Sequence, residues 1–153
     1  MSAEPHATPR VPPELRPPAV VIVGFGLPGR VLAEFYGERN TPFCVIEANP
    51  EVCARNARSD HRFVCGDARD PAQLRAAGVE TAAGLAVMIP HDAAVLEIID
   101  AAIAVNPKIR ILARLAFVST GLEAKRRGAE QTIVAEQVVA RAVRELAISW
   151  VTG

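Results

Sequence analysis

The sequence predicts an α/β fold, a Rossmann-like doubly wound parallel sheet of six strands in a single domain. The apolar run Ala19-Val-Val-Ile-Val leads directly into the glycine pattern Gly24-x-Gly26-x-x-Gly29, and a helical pattern follows it. Strand-like and helix-like segments then alternate without a break as far as residue 150. The length of 153 residues, of which 50% are hydrophobic, suits one domain with a substantial core.

Strands are expected where short apolar runs lie between turn residues, and helices where caps or breakers bound a helical period. The expected strands are about 19–24, 42–47, 61–65, 84–89, 109–113 and 131–134. The expected helices are about 28–39, 50–58, 71–77, 92–106, a fifth ending at 127, and 136–150.

Local residues justify the first half of this order. Pro28 suits the first turn of a helix, where its missing N–H is not needed. The turn Asn40-Thr-Pro42 ends the first helix, and Pro50 opens the second. Asp70-Pro71 supplies an N-cap and a proline at the first helical position, and Gly78 closes the third helix.

The second half follows in the same way. The continuous apolar run 84–89 is typical of a strand buried in a parallel sheet. Asp92 is expected to cap the fourth helix, which ends at Asn106-Pro107, and Gly128-Ala129 breaks the chain before the last strand. The last helix carries an apolar stripe: Val138, Val139, Ala142, Val143, Leu146 and Trp150. Most of these residues are expected to cover the sheet. Trp150 lies past the end of the fold, so it is either a dimer contact or part of a tail that folds back.

Composition narrows the class of protein. Six of the 12 prolines lie in residues 1–18, which are expected to form a disordered Pro-rich tail before the domain at 19–150. The 17 basic and 17 acidic residues leave no basic excess for binding nucleic acid. No apolar run reaches the roughly 18 residues of a membrane helix. The N-terminus has no apolar signal-peptide core, which indicates the cytoplasm.

The three cysteines are expected to be buried, reduced thiols. Cys44 falls in the second strand, Cys53 in the following helix and Cys65 at the end of the third strand. The sequence has no Cys-x-x-Cys and no histidine at ligand spacing, so no metal site is predicted. A redox sensor is the alternative interpretation.

The glycine pattern predicts a nucleotide site because it joins a buried strand to a helix. Gly24 allows the tight turn, Gly26 leaves room for a phosphate, and Gly29 permits close packing of helix and strand. Glu47 ends the next strand, 18 residues after Gly29, where a carboxylate accepts hydrogen bonds from both ribose hydroxyls. Because the neighbouring Ala48 and Asn49 offer no cation for a 2′-phosphate, NAD(H) or an adenine mononucleotide is favoured over NADP.

Catalytic residues are not predicted. A full six-strand dinucleotide fold occupies 19–149, and we expect no separate substrate domain. Tyr36 has no lysine four residues later, so the short-chain dehydrogenase pair is absent. His91 follows the fourth strand near the expected cleft and is interpreted as a loop residue. A binding module is therefore favoured over the alternative, a small NAD-dependent oxidoreductase or orphan dinucleotide-binding protein, which a substrate cavity containing His91 would support.

A set of motifs over 19–149 resembles the RCK N-terminal domain, also called TrkA-N or KTN, and is most similar to those of Kef-type monovalent cation:proton antiporters. The motifs are Val21-Ile-Val-Gly-Phe-Gly-x-x-Gly-Arg30, Val45-Ile-Glu-x-Asn-Pro50, Gly66-Asp-Ala68, Ile111-Leu-Ala-Arg114 and Arg127-Gly-Ala129. The resemblance implies a cytoplasmic regulatory domain that binds AMP or NAD(H) and controls potassium or other monovalent cation transport.

The resemblance also implies a set of nucleotide-binding residues: Gly24, Phe25, Gly26, Leu27, Pro28, Gly29, Glu47, Ala48, Asn49, Gly66, Asp67, Ala68 and Arg114. Asp67 would meet the adenine edge, although an Asp in a turn after Gly66 is equally expected. Arg114 would point toward phosphate, or be a surface arginine at a strand end. Glu136 would lie at the mouth of the site or cap the last helix.

One departure from the family pattern affects the ligand. Many family members carry arginine at the position of Leu27, and its absence argues against a triphosphate, although Arg30 one turn later partly substitutes. The family further implies a homodimer and a membrane cation transporter or antiporter as partner, in cis or in trans, with the domain peripheral at the inner face of the plasma membrane. Neither a second RCK subdomain nor a transport domain is expected in this sequence.

Overall fold

The computed structural model describes residues 16–153, in which six strands and six helices alternate. The strands are β1 (Val20–Val23), β2 (Phe43–Glu47), β3 (Arg62–Cys65), β4 (Gly84–Val87), β5 (Arg110–Leu115) and β6 (Gln131–Val134). The helices are α1 (Leu27–Glu38), α2 (Pro50–Arg55), α3 (Pro71–Ala76), α4 (Asp92–Val105), α5 (Val118–Arg127) and α6 (Ala135–Thr152). The predicted tail at 1–18 lies outside the described residues except for 16–18, of which Pro18 is buried beside Gly78.

All six strands are parallel, and their order in the sheet is β3-β2-β1-β4-β5-β6. The chain moves outward from β1 to β3, returns to the other side of β1, and moves outward again to β6. This reversal between β1 and β4 opens a crevice at the carboxyl ends of the central strands. The order confirms the predicted doubly wound fold.

The core lies mainly on one face of the sheet. There the alternate residues of the central strands, such as Val21, Val23 and Leu85, pack against α3, α4 and α5 in one large buried cluster. The opposite face has a small cluster in which Ile22 and Val45 meet Ala33 of α1. Period-two alternation along each strand therefore places consecutive residues in different clusters.

The prediction that the stripe of α6 mostly covers the sheet is wrong. No residue of α6 is buried, and Leu146 and Trp150 are 65% and 86% exposed. The physical reason is the connection: β6 ends at Val134 and α6 begins at Ala135, so no loop residue is available to turn the helix back. An apolar stripe long enough to cover a sheet is left without a partner in the described chain.

Side-chain caps begin two of the short helices, and the cap of α3 by Asp70 is as expected. Asp70 Oδ1 accepts a hydrogen bond from Ala72 N–H at 2.9 Å, at the start of α3. The cap predicted for Asp92 is not formed. Its carboxylate accepts instead from Ala116 N–H at 2.8 Å and from the Thr120 hydroxyl, tying α4 to the β5–α5 turn and to the first turn of α5. Asp92 joins two segments that are adjacent only in the folded chain.

The prediction of three reduced thiols is wrong for one pair, since Cys53 and Cys65 form a disulfide with their Cα atoms 6.1 Å apart. The β2–α2–β3 connection brings the end of α2 beside the end of β3, although the two residues are 12 apart in sequence. Cys44 is a buried free thiol in β2, and burial raises its pKa to about 11. It is therefore an unreactive core residue.

Candidate functional site

A cleft of about 850 Å³ opens at the carboxyl ends of β1, β2, β4 and β5, where the order of strands reverses. Twelve of the 13 residues predicted to bind nucleotide line it: Gly24, Phe25, Gly26, Leu27, Pro28, Glu47, Ala48, Asn49, Gly66, Asp67, Ala68 and Arg114. These residues come from the βα junctions after β1, β2 and β3 and from β5. The fold brings them to one place because parallel strands end at the same edge of the sheet.

The glycine loop turns from β1 into α1 at the floor of the cleft. Gly24 has φ of 93°, a left-handed conformation that side-chain-bearing residues rarely adopt. Gly26 is the N-cap of α1, and no side chain bonds to the free N–H groups of the first turn. These N–H groups, together with the positive end of the helix dipole, form a site suited to a phosphate.

Gly29 is the predicted residue that does not line the cleft. A Cβ atom at this position would lie 1.9 Å from the carbonyl oxygen of Gly24, so its role is the close approach of α1 to the loop. Leu27, by contrast, is 68% exposed at the mouth of the loop. The position therefore presents apolar surface, with no positive charge, to a ligand in the cleft.

Glu47 is held at the end of β2 by two backbone donors. Its Oε2 accepts from Phe25 N–H at 2.7 Å, and its Oε1 accepts from Asn49 N–H at 3.0 Å. The carboxylate thus links the glycine loop to the β2–α2 connection and has a fixed orientation at the cleft wall. Each carboxylate oxygen retains a lone pair that can accept a further hydrogen bond, as a ribose hydroxyl requires.

Asn49 lies beside Glu47 and caps α2. Its side chain accepts from Glu51 N–H at 3.0 Å, and Pro50 occupies the first turn of the helix. The residue lines the cleft while its side-chain oxygen is used for the cap. It therefore positions the β2–α2 wall of the cleft through the backbone.

Asp67, which follows β3 and lines the cleft, is paired with Arg69. Arg69 Nη2 donates to Asp67 Oδ2 at 2.6 Å, and Arg69 N–H donates to Oδ1 at 2.9 Å. These hydrogen bonds hold the pKa of the Asp67 carboxyl below its ordinary value of 3.8, so the group is ionised throughout the neutral range. Arg69 also lies 3.6 Å from Glu97 of α4 and bridges two walls of the cleft.

Arg114 was predicted to point toward phosphate and Glu136 to lie at the mouth of the site or cap the last helix. Arg114 lines the cleft from β5, and within residues 16–153 it pairs with no acidic side chain. Glu136 is not a lining residue. Its Oε1 accepts from Val118 N–H at 2.9 Å, so it caps the start of α5 and not its own helix.

Part of the cleft wall was not predicted. The additional lining residues are Val52, Arg69, Met88, Ile89, Pro90, Ala93, Ala94, Glu97 and Ile98, together with Val23, Ile46 and His91, of which His91 alone was expected near the cleft. Most of them belong to the end of β4 and the start of α4. Their position could have been found from the rule that ligands in doubly wound sheets bind beyond the carboxyl ends of the strands that flank the reversal.

Sequence comparison agrees with this geometry. A model of the TrkA-N domain family matches residues 20–135. The chain is 31% identical to the putative cation/proton antiporter YbaL of Escherichia coli (strain K12) over 126 residues, 82% of this chain and 23% of that protein. It is 29% identical to potassium channel protein 1 of Methanocaldococcus jannaschii over 131 residues, 84% of this chain and 39% of that protein.

Solved structures share the architecture. The TrkA-N domain of Escherichia coli YbaL superposes with a TM-score of 0.79 at 31% identity, covering 83% of this chain and 94% of that one. The AMP-bound Kef CTD of Shewanella denitrificans gives 0.76 at 22% identity, with coverages of 88% and 81%. The GsuK channel bound to NAD gives 0.75 at 18% identity, with coverages of 84% and 23%. At their low identity, the last two show the shared fold alone.

The two curated relatives are much longer than this chain, which spans 39% and 23% of their lengths. Between residues 16 and 153, no helix is both long and apolar enough to cross a membrane.

Proposed function

The chain belongs to the TrkA-N domain family, and from this premise we propose that it binds an adenine nucleotide, AMP or NAD(H), in the cleft and regulates potassium or other monovalent cation transport. The relatives that support the transport role are a cation/proton antiporter and a potassium channel protein. Ligand regulates through different affinity for two arrangements of the protein, without covalent chemistry.

The observation that carries this proposal is the placement of Glu47 opposite an uncapped helix N-terminus. The carboxylate is fixed at the cleft wall by the Phe25 and Asn49 N–H groups. Phe25 belongs to the glycine loop, which leads directly into the N-terminus of α1. A ribose at Glu47 places its 5′-phosphate toward the glycine loop. This combination suits an adenosine 5′-phosphate better than a free base or a free anion.

The charges around the loop favour AMP or NAD(H) over more anionic nucleotides. Leu27 contributes no cation, and the guanidinium of Arg69 is committed to Asp67. Arg114 is the cleft-lining cation available to phosphate, with the exposed Arg30 one turn along α1. A 2′-phosphate would meet the carboxylate of Glu47, so NADP is disfavoured.

Calorimetric titration of the purified chain with AMP, NAD⁺, NADH and ATP, with NADPH as control, tests the proposal. We expect AMP or NAD(H) to bind more tightly than ATP, and NADPH to bind weakest, because both of the weaker ligands place extra negative charge where few cations lie. If none of these nucleotides binds, the proposed site is refuted.

One observation favours the second candidate, a small oxidoreductase. His91 lines the same cleft at the end of β4, where a nicotinamide ring would lie. A second observation argues against this role. The His91 side chain makes no capping bond to α4, so nothing at the start of that helix fixes the imidazole ring as a catalytic base requires. A preference for NADH over AMP in the titration, with hydride transfer lost in His91→Ala, would support the oxidoreductase.

We further propose that the chain acts as a homodimer paired through α6, at the cytoplasmic face of a membrane cation transporter or antiporter. The unburied stripe of α6 supports a second copy as occupant, since Val139, Val143 and Leu146 are each at least 60% exposed. Further exposed apolar residues lie at the N-cap of α5, on α5 and on β6: Phe117, Val118, Leu122 and Ile133. An identical helix offers a stripe of the same length and chemistry, as an isologous contact requires.

Leu146→Glu is expected to convert the dimer to a monomer, because it places a carboxylate in the middle of the apolar stripe where the partner's stripe would bury it. Gln137→Glu adds the same charge on the opposite side of α6 and is the matched control. Light scattering after gel filtration measures the mass. A monomeric wild-type chain, or a dimeric Leu146→Glu variant, would contradict pairing through α6.

A further inference from the structure

The Cys53–Cys65 disulfide joins α2 to the carboxyl end of β3, next to the cleft but outside the residues that line it. Cys65 is exposed and Cys53 is half-buried. A small thiol or disulfide in solution can therefore reach Cys65 first, with Cys53 placed behind it as the second sulfur. An accessible cysteine beside a resolving cysteine is the arrangement that reversible thiol oxidation requires.

The pair converges on the backbone of the residue that orients the proposed ribose site. Cys65 pairs in register with Glu47 across β3 and β2. Gly66 N–H donates to the Glu47 carbonyl oxygen at 3.0 Å, and Cys53 Sγ lies 3.4 Å from the same oxygen. The residues next to the two cysteines, Val52 and Gly66, line the cleft. The crosslink therefore connects the β2–α2 wall of the cleft to the β3–α3 wall.

Little else attaches α2 to the rest of the fold. The helix has six residues, none of them buried, and its ordered start depends on the Asn49 cap. A segment with so little apolar burial opens locally at low cost in free energy. A covalent bond from Cys53 to the strand limits this opening, and its loss leaves α2 free to move away from Glu47.

We propose that Cys53 and Cys65 form a redox-modifiable site, and that its oxidation by a low-molecular-weight disulfide tightens the nucleotide cleft. The Cys65 thiolate attacks one sulfur of the small disulfide and expels a first small thiolate, forming a mixed disulfide. The Cys53 thiolate then attacks Cys65 Sγ, forms the internal disulfide and expels a second small thiolate. The two protons released by the cysteines go to the two small thiolates, so two small thiols are produced for each internal disulfide.

This coupling gives the site a regulatory consequence. With the disulfide closed, the two walls that meet adenosine are already joined, so less order remains to be imposed when a nucleotide binds. With the two thiols reduced, α2 must be ordered at the moment of binding. Disulfides in reducing compartments are usually transient. In such a compartment the reduced form, with two free thiols, would be the resting state.

The modification itself is tested by thiol counting on the purified chain. After equilibration with glutathione disulfide and removal of the excess, one titratable thiol is expected under denaturing conditions, that of Cys44, and three after reduction. Mass spectrometry of the oxidised protein should show an internal disulfide between the two peptides that contain Cys53 and Cys65. Three free thiols, or stable glutathione adducts on both cysteines, would overturn the assignment.

The effect on the cleft rests on the proposed nucleotide function and is tested by titrating oxidised and reduced protein with AMP. We expect AMP to bind about three- to tenfold more tightly to the oxidised chain. Cys53→Ser should abolish this difference, whereas Cys44→Ala should preserve it. Equal or weaker binding by the oxidised form would overturn the proposal that oxidation tightens the cleft. Absence of AMP binding in both forms would refute the nucleotide site, and the thiol count would then test the modification alone.

Discussion

Replacing Glu47 with alanine is expected to weaken AMP or NAD(H) binding at least tenfold. The substitution removes an acceptor for the ribose hydroxyls, and a charged hydrogen bond contributes about 1.5–3 kcal/mol. It also removes the acceptor for Phe25 N–H and Asn49 N–H, so the glycine loop and the β2–α2 wall lose their link. Isothermal titration calorimetry of wild-type and variant chains measures the change.

Two controls separate the ribose contact from the structural one. Glu51→Ala removes an exposed carboxylate from the first turn of α2, outside the cleft lining, and should leave affinity unchanged. Wild-type protein should bind 2′-deoxy-AMP more weakly than AMP, whereas Glu47→Ala should bind both equally. If the variant still discriminates between the two ligands, Glu47 does not hold the 2′-hydroxyl.

The parts of the fold that sequence predicted well are those encoded in short segments. The apolar run before Gly24, the helix after Pro28 and the Asp70-Pro71 cap are decided by neighbouring residues, and each is found as expected. The alternation of such segments is enough to indicate a doubly wound sheet, since parallel strands joined by helices have few other arrangements. The cleft followed from the same reasoning, because its position depends on strand order.

The features that sequence missed depend on contacts between distant segments. The Cys53–Cys65 bond and the pairing of Asp92 with Ala116 join residues 12 and 24 apart, and no local pattern marks them. Glu136 stands where a first-turn acid would serve its own helix, yet it caps α5. The exposed stripe of α6 has the period of a core helix, and only the missing loop after β6 reveals that it does not fold back.

Replacing Gly29 with alanine is expected to destabilise the whole domain, because the new Cβ would lie 1.9 Å from the Gly24 carbonyl oxygen and 2.9 Å from its carbon. These are backbone atoms of a loop that cannot easily move. Gly24 N–H donates to the Ile46 carbonyl oxygen at 2.9 Å, and Gly24 has φ of 93°. Overpacking typically costs about 1–3 kcal/mol, and a clash with backbone atoms belongs at the upper end, about 3 kcal/mol, which corresponds to a fall in Tm of roughly 10 °C for a chain of this size.

The same helix supplies the matched control for Gly29→Ala. Gly37 also lies in α1, and a Cβ added there has no neighbouring atom within 4 Å. Gly37→Ala should therefore leave the domain as stable as wild type or more stable by up to about 1 kcal/mol, since alanine favours the helix. Urea unfolding followed by circular dichroism compares the two variants. Equal stability of Gly29→Ala and Gly37→Ala would mean that α1 does not need its close approach to the glycine loop, and the third glycine would then have to act on the ligand.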